Sequence, residues 1–140
     1  MSTAPTEPVT VVIVDDEPHV RALIVASLTP LGYRLLEAGD GETAWGLVRA
    51  HRPAVLVSNR RMPGRSGPDL ARAIKADPAT ANTHVIIVSG VTDDADIEEI
   101  QQSGADRFIP KPFAPRELAQ AVIEGVLYRS GTGTGTRDDT

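Results

Sequence analysis

Two consecutive carboxylates, Asp15 and Asp16, directly follow VTVVIV, a run that is β-branched and nearly all apolar. Neighbouring carboxylates repel each other unless they are solvated or bound to a cation. Mg²⁺ suits this chemistry, because it takes carboxylate, carbonyl and water oxygens as ligands. Asp15 and Asp16 are therefore candidate metal ligands. The alternative is that they only favour the start of the following helix, where negative charge is stabilising.

Other polar groups follow later apolar runs in the same way. Asn59 ends AVLVSN, Ser89 and Gly90 end HVIIVSG, and Lys111 comes shortly after DRFI. A serine hydroxyl and a lysine ammonium in one place suit an anion such as a phosphoryl group. If these groups meet the two acids, Asn59 lies between a cation and an anion. Taken singly, Ser89 is an ordinary strand-end serine and Lys111 an ordinary surface lysine.

The elements that carry these residues decide whether they meet. Apolar runs typical of buried strands alternate with segments whose apolar residues recur at helical spacing. Strands are predicted at 9–14, 33–38, 54–58, 84–90 and 106–109. The alternation predicts an α/β domain with a doubly wound parallel sheet of five strands and five helices. In such a sheet the first, third, fourth and fifth strands can be adjacent, as they are in the flavodoxin-like order 2-1-3-4-5 that we expect here. Ligands of such sheets bind at the carboxyl ends of the strands, where these polar residues stand.

Length and composition restrict the class of protein. The 140 residues suit one domain, with a disordered start at 1–8, the domain itself at 9–129 and a flexible Gly/Thr tail at 130–140. No cysteine is present, so disulfides and thiolate metal sites are excluded. A net charge of −5 argues against direct nucleic-acid binding. Neither a signal peptide nor a membrane-length apolar run occurs, so a cytoplasmic protein without membrane contact is expected.

Four segments carry a family resemblance: VVIVDDEP, NRRMPGRSG, VIIVSG and GADRFIPKPF. In order and spacing they resemble the receiver domain of bacterial two-component response regulators, and the likeness runs from about Val9 to Tyr128. One segment alone is a weak signal, whereas four in register are specific. The resemblance implies a non-enzymatic module of phosphorelay signalling, with a histidine kinase or a downstream effector as its protein partner.

The resemblance places Asp15 and Asp16 on the family's acidic pair, with Asp16 as the direct Mg²⁺ ligand. Arg61 falls where the family offers a backbone carbonyl to the metal. Asn59 stands where the family carries the aspartate that accepts phosphate, and a neutral carboxamide is a poor nucleophile for that step. The change also removes a negative charge, so Mg²⁺ binding is expected to be weakened or absent, although the amide oxygen is a neutral ligand.

The same resemblance implies roles on the phosphoryl side of the site. Ser89 matches the residue that hydrogen-bonds the phosphoryl group, Gly90 a small residue that leaves access, and Lys111 the phosphate-pairing lysine. The bond from Lys111 to Pro112 matches the family's cis peptide. Phe108 matches a switching aromatic residue, and core packing is its alternative role.

Arg60 is a second departure, since the family usually has an apolar residue at this position. We hypothesise that Arg60, Arg61 or Lys111 supplies a cation that helps to neutralise the two acids. The presence of Arg60 also favours a natural origin of Asn59, because engineering of Asn59 alone would leave the neighbouring residues typical of the family.

Three functions are compatible with this residue pattern to different degrees. The first is a phosphorylation-independent protein-interaction module. The alternative is an ordinary Asp-phosphorylated receiver in which asparagine was substituted for the acceptor by engineering. An enzyme on a similar sheet is disfavoured, because a phosphatase of that kind needs Asp-x-Asp where this chain reads DDE, and the loop of a flavin carrier is absent. No output domain follows Tyr128, so we expect either a stand-alone receiver or one separated from its output domain.

The last predicted helix carries a broad apolar stripe. Its members are Leu118, Ala121, Val122, Ile123, Gly125, Val126 and Leu127. A stripe this broad fits either a deeply buried helix or a surface for a partner. Because the last helices form a common contact face in the resembled family, a homodimer through them is a further prediction.

Overall fold

The structure, a computed structural model, describes residues 8–90 and 93–129. The predicted disordered start at 1–8, apart from Pro8, and the predicted tail at 130–140 lie outside the described residues. Within the described part of the chain, no helix has both the length and the apolar composition that crossing a bilayer requires.

Five strands are present: β1 (Thr10–Val14), β2 (Arg34–Ala38), β3 (Val55–Asn59), β4 (His84–Ser89) and β5 (Arg107–Pro110). They form one parallel sheet in the order β2-β1-β3-β4-β5. The predicted sheet and its strand order are confirmed. The central strands β1, β3 and β4 are buried at nearly every position, as expected where helices cover both faces of a sheet.

The helices are α1 (Pro18–Leu28), α2 (Gly41–His51), α3 (Gly67–Ala76), α4 (Asp94–Gln102) and α5 (Pro115–Arg129), with a 3₁₀ turn at Thr29–Leu31. α2 begins after Asp40, whose carboxylate accepts a hydrogen bond from the Thr43 N–H. α3 begins after Ser66, which forms a capping box with Asp69. These side chains satisfy N–H groups that the start of a helix leaves unpaired.

Two apolar layers lie on opposite faces of the sheet. The layer beneath α1 and α5 contains Ile13 and Val57. The layer beneath α2, α3 and α4 contains Val12 and Leu56. Successive residues of one strand thus belong to different layers, as the pleat requires. This is why the central strands read as continuous apolar runs, with polar residues at their ends.

The apolar stripe of α5 divides between core and surface. Leu118 and Val122 are fully buried in the first layer. Gly125 approaches β4 so closely that a Cβ there would lie 2.6 Å from the His84 ring. Leu127, by contrast, is 59% exposed. Core packing therefore accounts for the inner part of the stripe, and the homodimer stays a prediction.

Candidate functional site

The carboxyl ends of the central strands bring three of the predicted site residues together. β1 pairs with β3, β3 with β4 and β4 with β5, so residues that leave these strands meet at one edge of the sheet. The Lys111 Nζ lies 3.0 Å from the Asn59 Oδ1 and 3.7 Å from the Asp15 Oδ2. An ammonium, an amide and a carboxylate therefore share one pocket.

The Asn59 amide is held on both sides by its neighbours. Its Oδ1 accepts a hydrogen bond from the Lys111 ammonium. Its Nδ2 donates to the Arg61 carbonyl at 2.9 Å and lies 3.5 Å from the Asp16 Oδ1. An ammonium can only donate and a carboxylate only accept, so this orientation of the amide is the one that satisfies every partner. The Arg61 side chain itself is exposed.

Asp15 and Asp16 are adjacent but differ in environment. Asp15 is fully buried, whereas Asp16 is exposed. The Asp15 Oδ1 accepts from the Glu17 N–H at 2.9 Å, but none of the described residues hydrogen-bonds its buried Oδ2. Burial raises the pKa of the Asp15 carboxyl, against the lowering effects of the Glu17 N–H and the Lys111 ammonium. A buried oxygen without a donor is one that a cation would satisfy.

Asp15→Asn is expected to stabilise the domain at neutral pH, because burial disfavours the charged form of this carboxyl. We expect a gain of about 1 kcal/mol, the usual scale of a single stabilising change. The folded state holds the Asp15 proton more tightly than the unfolded chain does. The stability that this gives is present below the usual pKa of 3.8 and is lost as the pH rises through the higher folded value. Urea unfolding at pH 7 and at pH 4 measures the gap, which should shrink at the lower pH.

The exposed neighbour provides the matched control for this prediction. Asp16→Asn removes the same charge from the solvent side of the pocket and should change stability by less than about 0.5 kcal/mol. A loss of stability in Asp15→Asn at pH 7 would mean that the buried carboxylate is better compensated than its contacts indicate.

The ends of β4 and β5 complete the rim of the pocket. Ser89 is 4% exposed, and its carbonyl oxygen accepts from the Lys111 N–H at 2.8 Å. Gly90 is exposed, and among the described residues no atom beyond its chain neighbours lies within 4 Å of a Cβ position there. The Lys111–Pro112 peptide bond is cis. Phe108 is half-buried and packs against the layer beneath α2, α3 and α4.

Arg60 does not point into the pocket. Its Nη2 lies 2.8 Å from the Asp96 Oδ1 and 2.6 Å from the Glu99 Oε1, and both acids belong to α4. The hypothesis that Arg60 neutralises the acidic pair is therefore wrong. Arg60 directly follows Asn59, and successive side chains along a strand point to opposite faces, so Arg60 is carried toward α4. Lys111 is the hypothesised cation that does reach the buried acid.

The loop that supplies the Arg61 carbonyl packs on the start of α2. The Gly41 N–H donates to the Pro63 carbonyl at 3.3 Å, and a Cβ at Gly41 would overlap the Arg65 carbonyl oxygen. The Arg65 guanidinium lies 5.4 Å from the centre of the Trp45 ring. The sequence does not predict this contact, because apolar periodicity identifies helices and strands and does not identify the loops that pack on them.

The oxygen atoms of the pocket suit a divalent cation. They are the buried Asp15 Oδ2, the Asp16 carboxylate and the Arg61 carbonyl, and Mg²⁺ takes oxygens of these kinds. No group of three or more His, Cys, Asp or Glu side chains in the described residues is placed to hold a metal, so the carbonyl is needed. Asn59 turns its NH₂ group toward two of these oxygens. The oxygen ligands of the pocket therefore fit Mg²⁺.

The sheet and its polar strand ends place this chain in the class of doubly wound α/β domains whose ligand site lies at the carboxyl ends of the strands. Residues 11–123 match the family model of the response regulator receiver domain. The chain therefore belongs to this family, and the prediction of a receiver domain is confirmed. Receiver domains are signalling modules of two-component systems and bind Mg²⁺ in this site.

Known relatives agree with this assignment. The phosphate regulon transcriptional regulatory protein PhoB of Pseudomonas aeruginosa is 36% identical over 124 residues, covering 89% of this chain and 54% of that protein. The DNA-binding response regulator MtrA of Mycolicibacterium smegmatis is 31% identical over 112 residues, covering 80% of this chain and 48% of that protein. The chain thus spans about half the length of these relatives.

Solved receiver domains share the fold. The signal receiver domain of the response regulator NarL from Mycobacterium tuberculosis superposes with a TM-score of 0.79 at 32% identity, covering 90% of this chain and 99% of that one. The receiver domain of a sensor histidine kinase from Pseudomonas aeruginosa has a TM-score of 0.79 at 25% identity, covering 86% and 98%. A magnesium ion is coordinated in the active-site cleft of that second structure.

Proposed function

We propose that this receiver domain acts in two-component signalling as a phosphorylation-independent protein-interaction module. The observation that carries the proposal is the Asn59 amide, which is hydrogen-bonded to Lys111 on one side and to the Arg61 carbonyl on the other. Formation of an aspartyl phosphate needs a carboxylate at this position, and a carboxamide does not supply that nucleophile. Signalling would then depend on contact with a partner and not on covalent modification.

The amide also explains why Mg²⁺ binding would be weak. The NH₂ group of Asn59 occupies the space in front of the Arg61 carbonyl and the Asp16 carboxylate. These oxygens therefore face the partial positive charge of an amide, where Mg²⁺ would offer a full positive charge. If Mg²⁺ does bind, Asp15, Asp16 and the Arg61 carbonyl would hold it, and the ion would neutralise the acidic pair. To offer Oδ1 as a ligand, Asn59 would have to turn and give up its bond to Lys111.

Other features of the proposal follow from the family and the described surface. The partner would be a histidine kinase or a downstream effector, and α5 would serve a homodimer if one forms. We propose no enzymatic activity, no direct contact with nucleic acid or membrane, and a cytoplasmic location. Phe108 would serve core packing, because a switching aromatic residue has little to respond to in a pocket that is not phosphorylated.

An ordinary phosphorylated receiver, altered by engineering at one residue, is the second candidate. It is favoured by the rest of the pocket, where Lys111 lies 3.0 Å from Asn59 and 3.7 Å from Asp15. Ser89 ends the adjacent strand. Arg60 instead favours a naturally diverged chain over an engineered one. It is a buried arginine with two acidic partners on α4, and so it is not an isolated change.

Intact mass after incubation with Mg²⁺ and a small phosphodonor distinguishes these candidates. The native chain is expected to show no phosphate-sized gain, whereas Asn59→Asp should gain one phosphate, since it restores the carboxylate nucleophile. Asn59→Ala is the matched control, which removes the amide without supplying a nucleophile and should gain nothing. A phosphate-sized gain in the native chain would contradict phosphorylation independence. A failure of Asn59→Asp to gain mass would show that the pocket has been remodelled beyond this residue.

A further inference from the structure

Arg60 is buried although it carries a charge. It is 8% exposed, and among the described residues it shares this burial of a charged side chain with Asp15. A guanidinium taken out of water is costly unless close acids and good hydrogen bonds compensate it. The acidic partners of Arg60 are therefore needed to compensate its buried charge.

Both partners of Arg60 lie on α4. Asp96 and Glu99 are three residues apart and so share one face of this helix, and a single Arg60 nitrogen reaches both at 2.8 and 2.6 Å. Glu99 also lies 3.7 Å from the Nη2 of Arg72 on α3, and Arg72 pairs with Asp69. The charges form a network that joins the end of β3 to α4 and extends to α3.

Apolar packing attaches α4 only lightly to the rest of the domain. Ile100 is the fully buried apolar side chain on the described α4. α3, of similar length, buries Leu70, Ala71 and Ile74. Because hydrophobic contact holds α4 less firmly, the two ion pairs to Arg60 make up a large share of what positions this helix.

The backbone beneath Arg60 is itself fixed. The Arg60 carbonyl accepts a hydrogen bond from the Gly67 N–H at 2.8 Å. A Cβ at Gly67 would lie 2.6 Å from the Asn59 carbonyl oxygen and 3.3 Å from the Arg60 Cα, so the start of α3 lies directly against this segment. Arg60 therefore projects toward α4 from a point that cannot shift without moving α3, one residue beyond Asn59.

We propose that Arg60 is a permanent tie that holds α4 in one position against the end of β3. The helix is then positioned by an internal ion pair, whatever the pocket contains, and it presents a constant surface to a protein partner. This inference rests on the proposed function, because a domain that signals without phosphorylation needs its contact surface to be formed at all times. The attachment of α4 by Arg60 can be measured directly on the helix, whether or not the domain is phosphorylated.

Hydrogen exchange of the α4 amides tests the tie. In Arg60→Leu, which supplies the apolar residue common in the family, the amides of 94–102 are expected to exchange about tenfold faster, because the helix loses its polar attachment. Amides of α2 and of β1 should keep their native rates. Arg61→Leu is the matched control, since it removes the same charge from the adjacent, exposed position, and its α4 amides should exchange as in the native chain.

The acids provide a second route to the same test if Arg60→Leu does not fold. The double variant Asp96→Asn, Glu99→Gln keeps the shape of both side chains and removes their charges, and its α4 amides should also exchange faster. Native α4 exchange in a folded Arg60→Leu, or in the double variant, would overturn the tie. A phosphate-sized mass gain in the native chain would sink the proposed function while leaving the α4 result intact, so the two failures are distinguishable.

Discussion

Asn59→Asp is expected to lose about 2 kcal/mol of stability when divalent cations are absent. In the native pocket the Asn59 Nδ2 donates to the Arg61 carbonyl at 2.9 Å and lies 3.5 Å from the Asp16 Oδ1. An aspartate replaces both contacts with close approaches of oxygen to oxygen. It also adds a third carboxylate to the pocket that holds Asp15 and Asp16. Lys111, which lies 3.0 Å from the Asn59 Oδ1, would pair with the new carboxylate and offset only part of that cost.

Mg²⁺ should reverse this loss. A ligand that binds only the folded state adds about 2.7 kcal/mol at 100 times its Kd. Asn59→Asp offers the ion a third carboxylate and no opposing NH₂ group, so it is expected to gain on this scale at millimolar Mg²⁺. The native chain should gain less than about 0.5 kcal/mol, because its amide has to leave Lys111 before its oxygen can serve as a ligand. Urea unfolding in Mg²⁺ and in EDTA measures both gains.

Asn59→Ala separates the loss of the amide from the arrival of a charge. It should lose about 1 kcal/mol, the usual value of a hydrogen bond, and Mg²⁺ should restore little of it. If the native chain gains as much from Mg²⁺ as Asn59→Asp does, the amide is no obstacle and the metal site is not weakened. That result would leave the lack of a nucleophile as the sole ground for phosphorylation independence.

The strands and helices could be predicted because each has its own apolar period. Their alternation then limits the sheet to a doubly wound parallel arrangement. The predicted bounds of the strands are less accurate. β5 was predicted at 106–109 and spans Arg107–Pro110. Asp106 lies outside it, with its Oδ2 accepting from the Val85 N–H at 2.8 Å and from the Lys75 ammonium at 2.9 Å. Such a side-chain contact replaces one step of the ladder, and no local propensity reports it.

The position of the candidate site followed from topology, whereas the directions of its side chains did not. Polar residues at the ends of adjacent parallel strands must come near each other, which is why Asp15, Asn59 and Lys111 meet. A long side chain such as Arg60 can reach several partners from one Cα, and the sequence contains acids on both sides of it. Alternation along β3 directs Arg60 away from Asn59 and toward the face that α4 covers. The sequence does not show which acids of that face lie within its reach, and the structure identifies Asp96 and Glu99.

The unequal burial of Asp15 and Asp16 could not be read from the sequence either. Two adjacent acids look equivalent in a motif, but β1 carries one into the sheet and the other out to solvent. Burial, and not mutual repulsion, is the main cause of the raised pKa of Asp15. The protonation behaviour of Asp15 therefore depends mainly on how deeply the residue is buried, and burial is known only once the chain has folded.

Two glycines of α2 make a matched pair for the loop contact beside the site. Gly41 stands where a Cβ would overlap the Arg65 carbonyl oxygen and lie 2.7 Å from the Arg65 carbonyl carbon. Gly46 stands in the same helix, and outside that helix's own backbone no atom of the described part of the chain lies within 4 Å of a Cβ position there. Neither has a positive φ, so the backbone conformation of each is open to alanine. Only the surroundings of the new methyl group differ.

The same substitution is therefore expected to act in opposite directions. Gly41→Ala should cost about 2–3 kcal/mol, because the clash is with backbone that has to move as a whole. Gly46→Ala should gain about 0.5–1 kcal/mol from its higher helix propensity. Urea unfolding measures both, and NMR of the Asn59 side-chain amide should report a change in Gly41→Ala alone, since the displaced loop carries the Arg61 carbonyl. Equal effects at the two positions would mean that the loop does not rest on α2, and that the Asn59 amide is held by its own short segment.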